Sequence, residues 1–165
     1  MIIQTLSILV KNDSVLLGMK KRGFGTSWWN GFGGHVEKGE SREECFRREA
    51  LEETSDRENT GIVLKNIEQR GLIYFHFPDN NVEVSIYHVH SYEGEPKESE
   101  EMRWEWFQIS KIPYDRMWPA DRHWIPLFIK GDKFIGEVHF DGNKQVISHR
   151  IYPVSSLPQP QNKTY

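Results

Sequence analysis

"GGHVEKGESREECFRREALEET", residues 33–54, decides the fold: a glycine-rich approach meets a charged segment at Ser41. Ser41 with Glu44 three residues on is a capping-box pattern, and it predicts a helix over 42–54. Glu43 stands four residues before Arg47, and Glu44 four before Arg48, the favourable order for helical ion pairs. Phe46, Ala50 and Thr54 share one side of that helix, and Glu49, Glu52 and Glu53 border it. The last three fall within one turn, where like charges at i, i+4 cost about 0.2–0.5 kcal/mol. Such a cluster is either a solvated charged face or a site for a cation.

Upstream, "GFGTSWWNGFGGHVEKGE" holds six glycines in eighteen residues, a loop that turns tightly or lies against a ligand. Before it, "IIQTLSILV" and "VLLGMKKR" read as strands joined by the polar turn "KNDS". Downstream of the polar break "SDRENTG", "IVLKNIEQRGLIYFHF" and "VEVSIYHVHSYEG" read as strands, the second alternating cleanly. An acidic loop, "EPKESEE", precedes a further strand, "MRWEWFQI". "DRHWIPLFIKG" reads as a second helix, with Pro126 tolerable only near its first turn. "KFIGEVHF", the turn "DGN" and "KQVISHRIY" form a closing hairpin. The sequence predicts one domain over 1–153 and a flexible tail over 154–165, whose Pro- and Gln-rich composition is that of disorder. Strands around two helices place the chain in the α/β or α+β class, with a mixed sheet.

Composition narrows the setting and not the chemistry. The chain has 165 residues, about one domain by size, and six Trp, nine Phe and six Tyr can fill its core. A formal charge of −3 argues against a nucleic-acid polymer as partner. One cysteine, Cys45, cannot form an internal disulfide, which fits the cytoplasm or nucleus. "MIIQTLSILV" lacks a basic leader and reads as a strand, and no apolar run is long enough for a membrane. The expected form is a monomer.

Gly34, Glu40, Arg48-Glu49 and Glu52-Glu53 stand at the spacing of a Nudix box, and the chain resembles the Nudix hydrolases. That likeness implies a Nudix fold, in which the box helix and a second helix sandwich a mixed sheet, and cleavage of a nucleoside diphosphate linked to another group. Three glutamates and a polyphosphate repel one another, so the chemistry requires a hard divalent cation held by oxygen ligands. The resemblance assigns Glu49, Glu52 and Glu53 as ligands of Mg2+, with Mn2+ as a substitute, and adds Gly34 and Glu101. Arg48 would orient a ligating glutamate. Glu53 is the first candidate for general base and Glu101 the second; the latter is otherwise one more residue of an acidic loop. The box expects Gly and an aliphatic residue soon after its last Glu. Here Ser55-Asp56 stand there, with Gly61-Ile62 as the displaced pair after a short insertion.

"VLLGMKKRGFG", "WNGFGG", "EMRWEWF" and "MWPADRHW" extend the resemblance to the oxidised-purine nucleoside triphosphatases, or 8-oxo-dGTP diphosphatases, the MutT-like branch. These hydrolyse damaged purine triphosphates to monophosphate and pyrophosphate, which keeps damaged bases out of new DNA. Another nucleoside-diphosphate-linked substrate is the alternative: a dinucleoside polyphosphate, nucleotide sugar, dinucleotide or capped RNA. A catalytically silent binding module is a third reading, disfavoured by the intact Arg48, Glu49, Glu52 and Glu53. In a purine slot Phe24, Phe75, Trp118 and Trp124 would supply stacking faces and Met102 an adaptable wall; each is otherwise a core residue. Trp118 aligns with a base-stacking Trp of the family. Asn30 would read the base edge, or else make a turn, and Lys20 would reach a phosphate or sugar, or else be solvated. Asp121 would bond the base, or else cap the second helix. The vertebrate proteins carry two adjacent Asp after Trp-Pro, and this chain has Ala120-Asp121.

Overall fold

The computed structural model describes residues 1–23, 25–56 and 60–159. Phe24 and residues 160–165 of the expected tail lie outside them, as do three residues of the polar break. The strands are β1 (Ile2–Lys11), β2 (Ser14–Lys20), β3 (Trp29–Asn30), β4 (Val63–His76), β5 (Asn81–Glu93), β6 (Met102–Gln108), β7 (Lys133–Phe140) and β8 (Val146–Val154). The helices are α1 (Arg42–Thr54) and α2 (Asp121–Lys130). The strands form one mixed sheet, ordered β3-β2-β1-β5-β4-β7-β8, with β6 on the other edge of β2. β1–β5 and β4–β7 are parallel, and the remaining pairs antiparallel. No described helix is long and apolar enough to cross a membrane.

Alternation along the strands buries both faces. On one face Phe46 and Ala50 of α1 pack with Leu9, Leu16, Phe32, Ile62, Leu64 and Tyr87. On the other, Trp124, Ile125 and Phe128 of α2 pack with Ile73, Val84, Phe134 and Val138. The sheet is thus sandwiched between its two helices, the α+β arrangement that the resemblance implies.

Short-range pattern does not show how the first hairpin opens. β1 meets β2 only near the turn, at Leu9–Leu16 through Lys11–Ser14. Beyond that the strands part, and β3 with its following loop fills the gap. Gly18 and Met19 of β2 pair with Asn30 and Trp29. The chain after β3 bonds the first half of β1: the Ser7 amide donates to the Phe32 carbonyl at 2.7 Å, and Thr5 to Gly34 at 3.0 Å. Gly33 lies so close to β1 that a Cβ there would sit 1.9 Å from the Thr5 carbonyl oxygen. That obstacle is backbone and cannot swing away. Gly33→Ala is expected to destabilise by at least the upper part of the overpacking range, about 3 kcal/mol. A lower urea midpoint at unchanged slope would show it, and an unchanged midpoint would contradict the close approach.

α1 begins as its capping box requires, with Ser41 Oγ accepting from the Glu44 amide at 3.2 Å and Glu44 accepting from the Ser41 amide at 2.8 Å. This commits Glu44, so the expected Glu44–Arg48 pair does not form; Glu43–Arg47 does, at 3.0 Å. The insertion after the box returns to the helix end. The Ile62 amide donates to Thr54 Oγ1 at 2.8 Å, Ile62 is fully buried, and a Cβ on Gly61 would lie 2.7 Å from that hydroxyl. In α2 Pro126 stands mid-helix, beyond the first turn the sequence reading allowed. Pro126 and Arg122, whose carbonyl loses an amide partner there, are both exposed, so water can satisfy that group. Gly131, in the left-handed region at φ 93°, ends the helix with its amide on the Phe128 carbonyl.

Candidate active site

Capping fixes the start of α1, and its buried Phe46–Ala50–Thr54 side fixes its rotation, so Glu49, Glu52 and Glu53 line one cleft. The cleft, about 320 Å³, is also bordered by Lys20 at the end of β2, by Arg22 and Ser99, and by Glu101 and Met102 at the start of β6. Sequence reading therefore named six of its eight lining residues and missed Arg22 and Ser99. Arg22 donates to Glu101 at 2.7 Å, and Ser99 Oγ accepts the Glu101 and Met102 amides. A basic run, "KKR", beside the strand end was the available signal for Arg22.

Arg48 organises the carboxylates. Its Nε and Nη2 grip Glu40 at 2.8 and 3.0 Å, while Nη1 reaches Glu49 at 2.8 Å and Glu52 at 3.2 Å. A further contact, Nη2 to the His35 carbonyl at 3.2 Å, ties this fork to the glycine loop. The Arg48 hydrogen bond holds the Glu40 carboxyl below its usual range, and Glu40 and Glu49 push the guanidinium pKa up. The planar fork suits several carboxylates at once, which one ammonium cannot do.

Glu53 is set apart from its neighbours. It accepts the Gly33 amide at 3.0 Å, and the Trp104 indole N–H donates to its main-chain carbonyl at 3.1 Å. Burial, then the charge of Glu49, pushes its pKa up to about 8, against the Gly33 hydrogen bond and Lys20. This carboxyl resists ionisation alone and would be relieved by a cation. The donors of the cleft, carboxylate oxygens without thiol or imidazole, fit a hard divalent ion. Gly34 lies against Glu49, and its carbonyl accepts the Thr5 amide at 3.0 Å and the Cys45 thiol at 3.6 Å.

Of the remaining candidates, Trp118 and Phe75 share one aromatic cluster, Asp121 and Trp124 lie on α2, and Phe24 is outside the described residues. Trp118 meets Trp28 edge-on at 4.8 Å, with Phe77 and Phe140 at 6.2 and 6.3 Å and the Lys144 ammonium over its ring. Phe75, half-buried, packs on Phe140 at 5.9 Å. Sequence reading missed Trp28, Phe77 and Phe140, which pattern alone does not separate from core. Trp124 is 1% exposed and belongs to the core, where it stacks on Phe134. Its indole N–H donates to Asp121 Oδ1 at 3.0 Å. Asp121 is not the α2 cap: Ala120 holds that position, without a side-chain hydrogen bond. Asp121 is buried, its Oδ2 has no hydrogen-bond partner among the described residues, and burial pushes its pKa up to about 7. Asn30, half-buried beside Gly18, accepts the Gly31 amide on Oδ1 at 2.9 Å. Lys20, ending β2, lies in the cleft, and Trp28, just before β3, lies against Trp118.

Comparison with known proteins adds relatives to this geometry. Residues 2–128 match the NUDIX domain. An oxidized purine nucleoside triphosphate hydrolase of Danio rerio is 43% identical over 93% of this chain and 96% of its own length. That of Mus musculus is 39% identical over the same shares. Among solved structures, a MutT protein of Bacillus halodurans superposes with a TM-score of 0.75 at 28% identity, covering 92% of this chain and 97% of that one.

Proposed function

The chain belongs to the Nudix family, and from that premise we propose that it hydrolyses oxidised purine nucleoside triphosphates to monophosphate and pyrophosphate with Mg2+. The observation that carries this is identity above a third over nearly the whole length of two oxidized purine nucleoside triphosphate hydrolases. The matched length includes both the carboxylate cleft and the Trp118–Asp121 neighbourhood. Nudix hydrolases use a divalent metal; Mg2+, with Mn2+ as substitute, is the ion we assign.

When bound, the cation offsets charge on the phosphoryl oxygens and makes the attacking water more acidic. The chain's own residues supply the rest. Glu49, Glu52, Glu53 and Glu101 offer oxygen donors, and Arg48 holds Glu49 and Glu52 in place. Lys20 meets a phosphate from the end of β2. Glu53 takes the proton from water, with its side chain aimed by the Gly33 amide. Trp118 stacks on the base, with Phe75 and Met102 as walls, and Asn30 and Asp121 read the base edge. The enzyme acts as a monomer in the cytoplasm or nucleus.

Arg48→Lys tests the clamp. One ammonium cannot hold Glu40, Glu49 and Glu52 together, so activity and apparent Mg2+ affinity are expected to fall about 10- to 100-fold. Titrating Mg2+ at saturating nucleotide checks it; an unchanged Mg2+ midpoint would limit Arg48 to a surface ion pair.

The substrate proposal is tested by kcat/KM for 8-oxo-dGTP, 2-hydroxy-dATP, O6- and N6-methylated purine triphosphates and dGTP. An oxidised purine should lead the series. Equal values throughout, or turnover only of a dinucleoside polyphosphate, nucleotide sugar or capped RNA, would overturn it.

A further inference from the structure

Outside the carboxylate cleft, three metal-ligating side chains converge where β4 and β7 end. The strands run parallel, with His76 opposite His139 and Tyr74 opposite Glu137, so both histidines and Glu137 share one face. The imidazoles stack at 4.4 Å with planes 16° apart. His76 Nε2 lies 4.0 Å from Glu137 Oε2, and one ligand atom from each of the three falls within 4.8 Å of the others.

The other ring nitrogen of His76 is engaged. Nδ1 faces Asn81 Oδ1 at 2.9 Å, and Asn81 is its cross-strand partner on β5. With Nδ1 turned to Asn81 Oδ1, Nε2 is directed at the Glu137 carboxylate. Outer hydrogen bonds of this kind commonly orient a histidine that ligates a metal. Arg150 stands opposite Glu137 on β8, but its guanidinium lies over the Tyr152 ring at 5.4 Å.

We propose that His76, Glu137 and His139 form a second metal site, selective for a Zn2+-type transition-metal ion over Mg2+. Imidazole nitrogens favour zinc, copper and nickel, whereas Mg2+ takes oxygen ligands. Zinc bonds to nitrogen and oxygen span about 2.0–2.2 Å, so the donors need close only by roughly an ångström. Half-exposed side chains can do this by small χ rotations. Three protein ligands leave one position for water. The site ties β4 to β7, whose opposite face carries Phe75, Val138 and Phe140. Its ion would therefore clip the strands behind the aromatic cluster, outside the reacting centre.

Zn2+ titration calorimetry on the full chain in excess Mg2+, which occupies the carboxylate cleft, tests this site apart from the proposed hydrolysis. The expected result is one Zn2+ equivalent bound, with a Zn2+-dependent rise in Tm. His76→Asn and His139→Ala should each weaken binding at least tenfold, while Glu49→Gln leaves it unchanged. Far-UV circular dichroism in EDTA monitors folding, and Glu137→Gln provides the same readout should a histidine variant misfold. Absent Zn2+ binding, affinity unaltered in the three site variants, or loss with Glu49→Gln would each overturn the proposal.

Discussion

Glu53→Gln is expected to lower kcat by at least about 100-fold while the protein stays folded. The amide keeps the shape of the side chain and can still accept the Gly33 N–H, so the loop–helix contact survives. What disappears is the charge and the proton acceptor. The same substitution should not cost stability in the absence of divalent cations. Burial and Glu49 raise the Glu53 pKa from 4.5 to about 8, so the folded state favours the protonated form. That contribution is fully present below about pH 4.5 and is lost as pH rises through 8. In EDTA at pH 8 the Gln variant should match or exceed the native Tm. A fall in kcat below threefold would remove Glu53 as both ligand and base.

The second large effect lies at Asp121, which concerns which base is read. Asp121→Asn is expected to change the ratio of kcat/KM for 8-oxo-dGTP and 2-hydroxy-dATP by tenfold or more. A base held by a buried carboxyl loses about 1–3 kcal/mol when a partner is left unsatisfied. Asn has the same size but cannot alternate between donating hydroxyl and accepting carboxylate. Where the resemblance implies a second carboxyl, this chain has the buried Ala120, so Asp121 would act alone. Stability provides an independent sign. Burial raises the Asp121 pKa from 3.8 to about 7, so its contribution is complete below pH 3.8 and lost as pH rises through 7. The Tm advantage of the Asn variant should therefore grow from pH 5 to pH 8. A constant substrate ratio would detach Asp121 from the base.

Local chemistry made much of this legible. Ser41 and Glu44 set the start of α1, and the closing hairpin follows its turn residues. The carboxylate cleft was readable because its glutamates repeat along one helix face and the Gly-rich approach fixes the box spacing. Contacts made across the sheet were not readable. The splayed first hairpin depends on where the chain after β3 lands on β1, a separation of 25 residues between Ser7 and its carbonyl partner Phe32. Arg48 could have paired with Glu44; it turned instead to Glu40, Glu49 and Glu52 because the capping box had already engaged Glu44. For Asp121 the alternative to a base contact was a helix cap, and the helix begins at it rather than after it. Trp124 is a candidate stacking face by sequence, yet its ring is buried in the core and its N–H donates to Asp121.

Incubating the purified chain with 8-oxo-dGTP, with Mg2+ and with EDTA, and resolving the products by ion-exchange chromatography tests the pyrophosphohydrolase assignment. The expected products are 8-oxo-dGMP and pyrophosphate in equal amounts with Mg2+, and neither with EDTA. Release of orthophosphate, or no turnover with either Mg2+ or Mn2+, would contradict it.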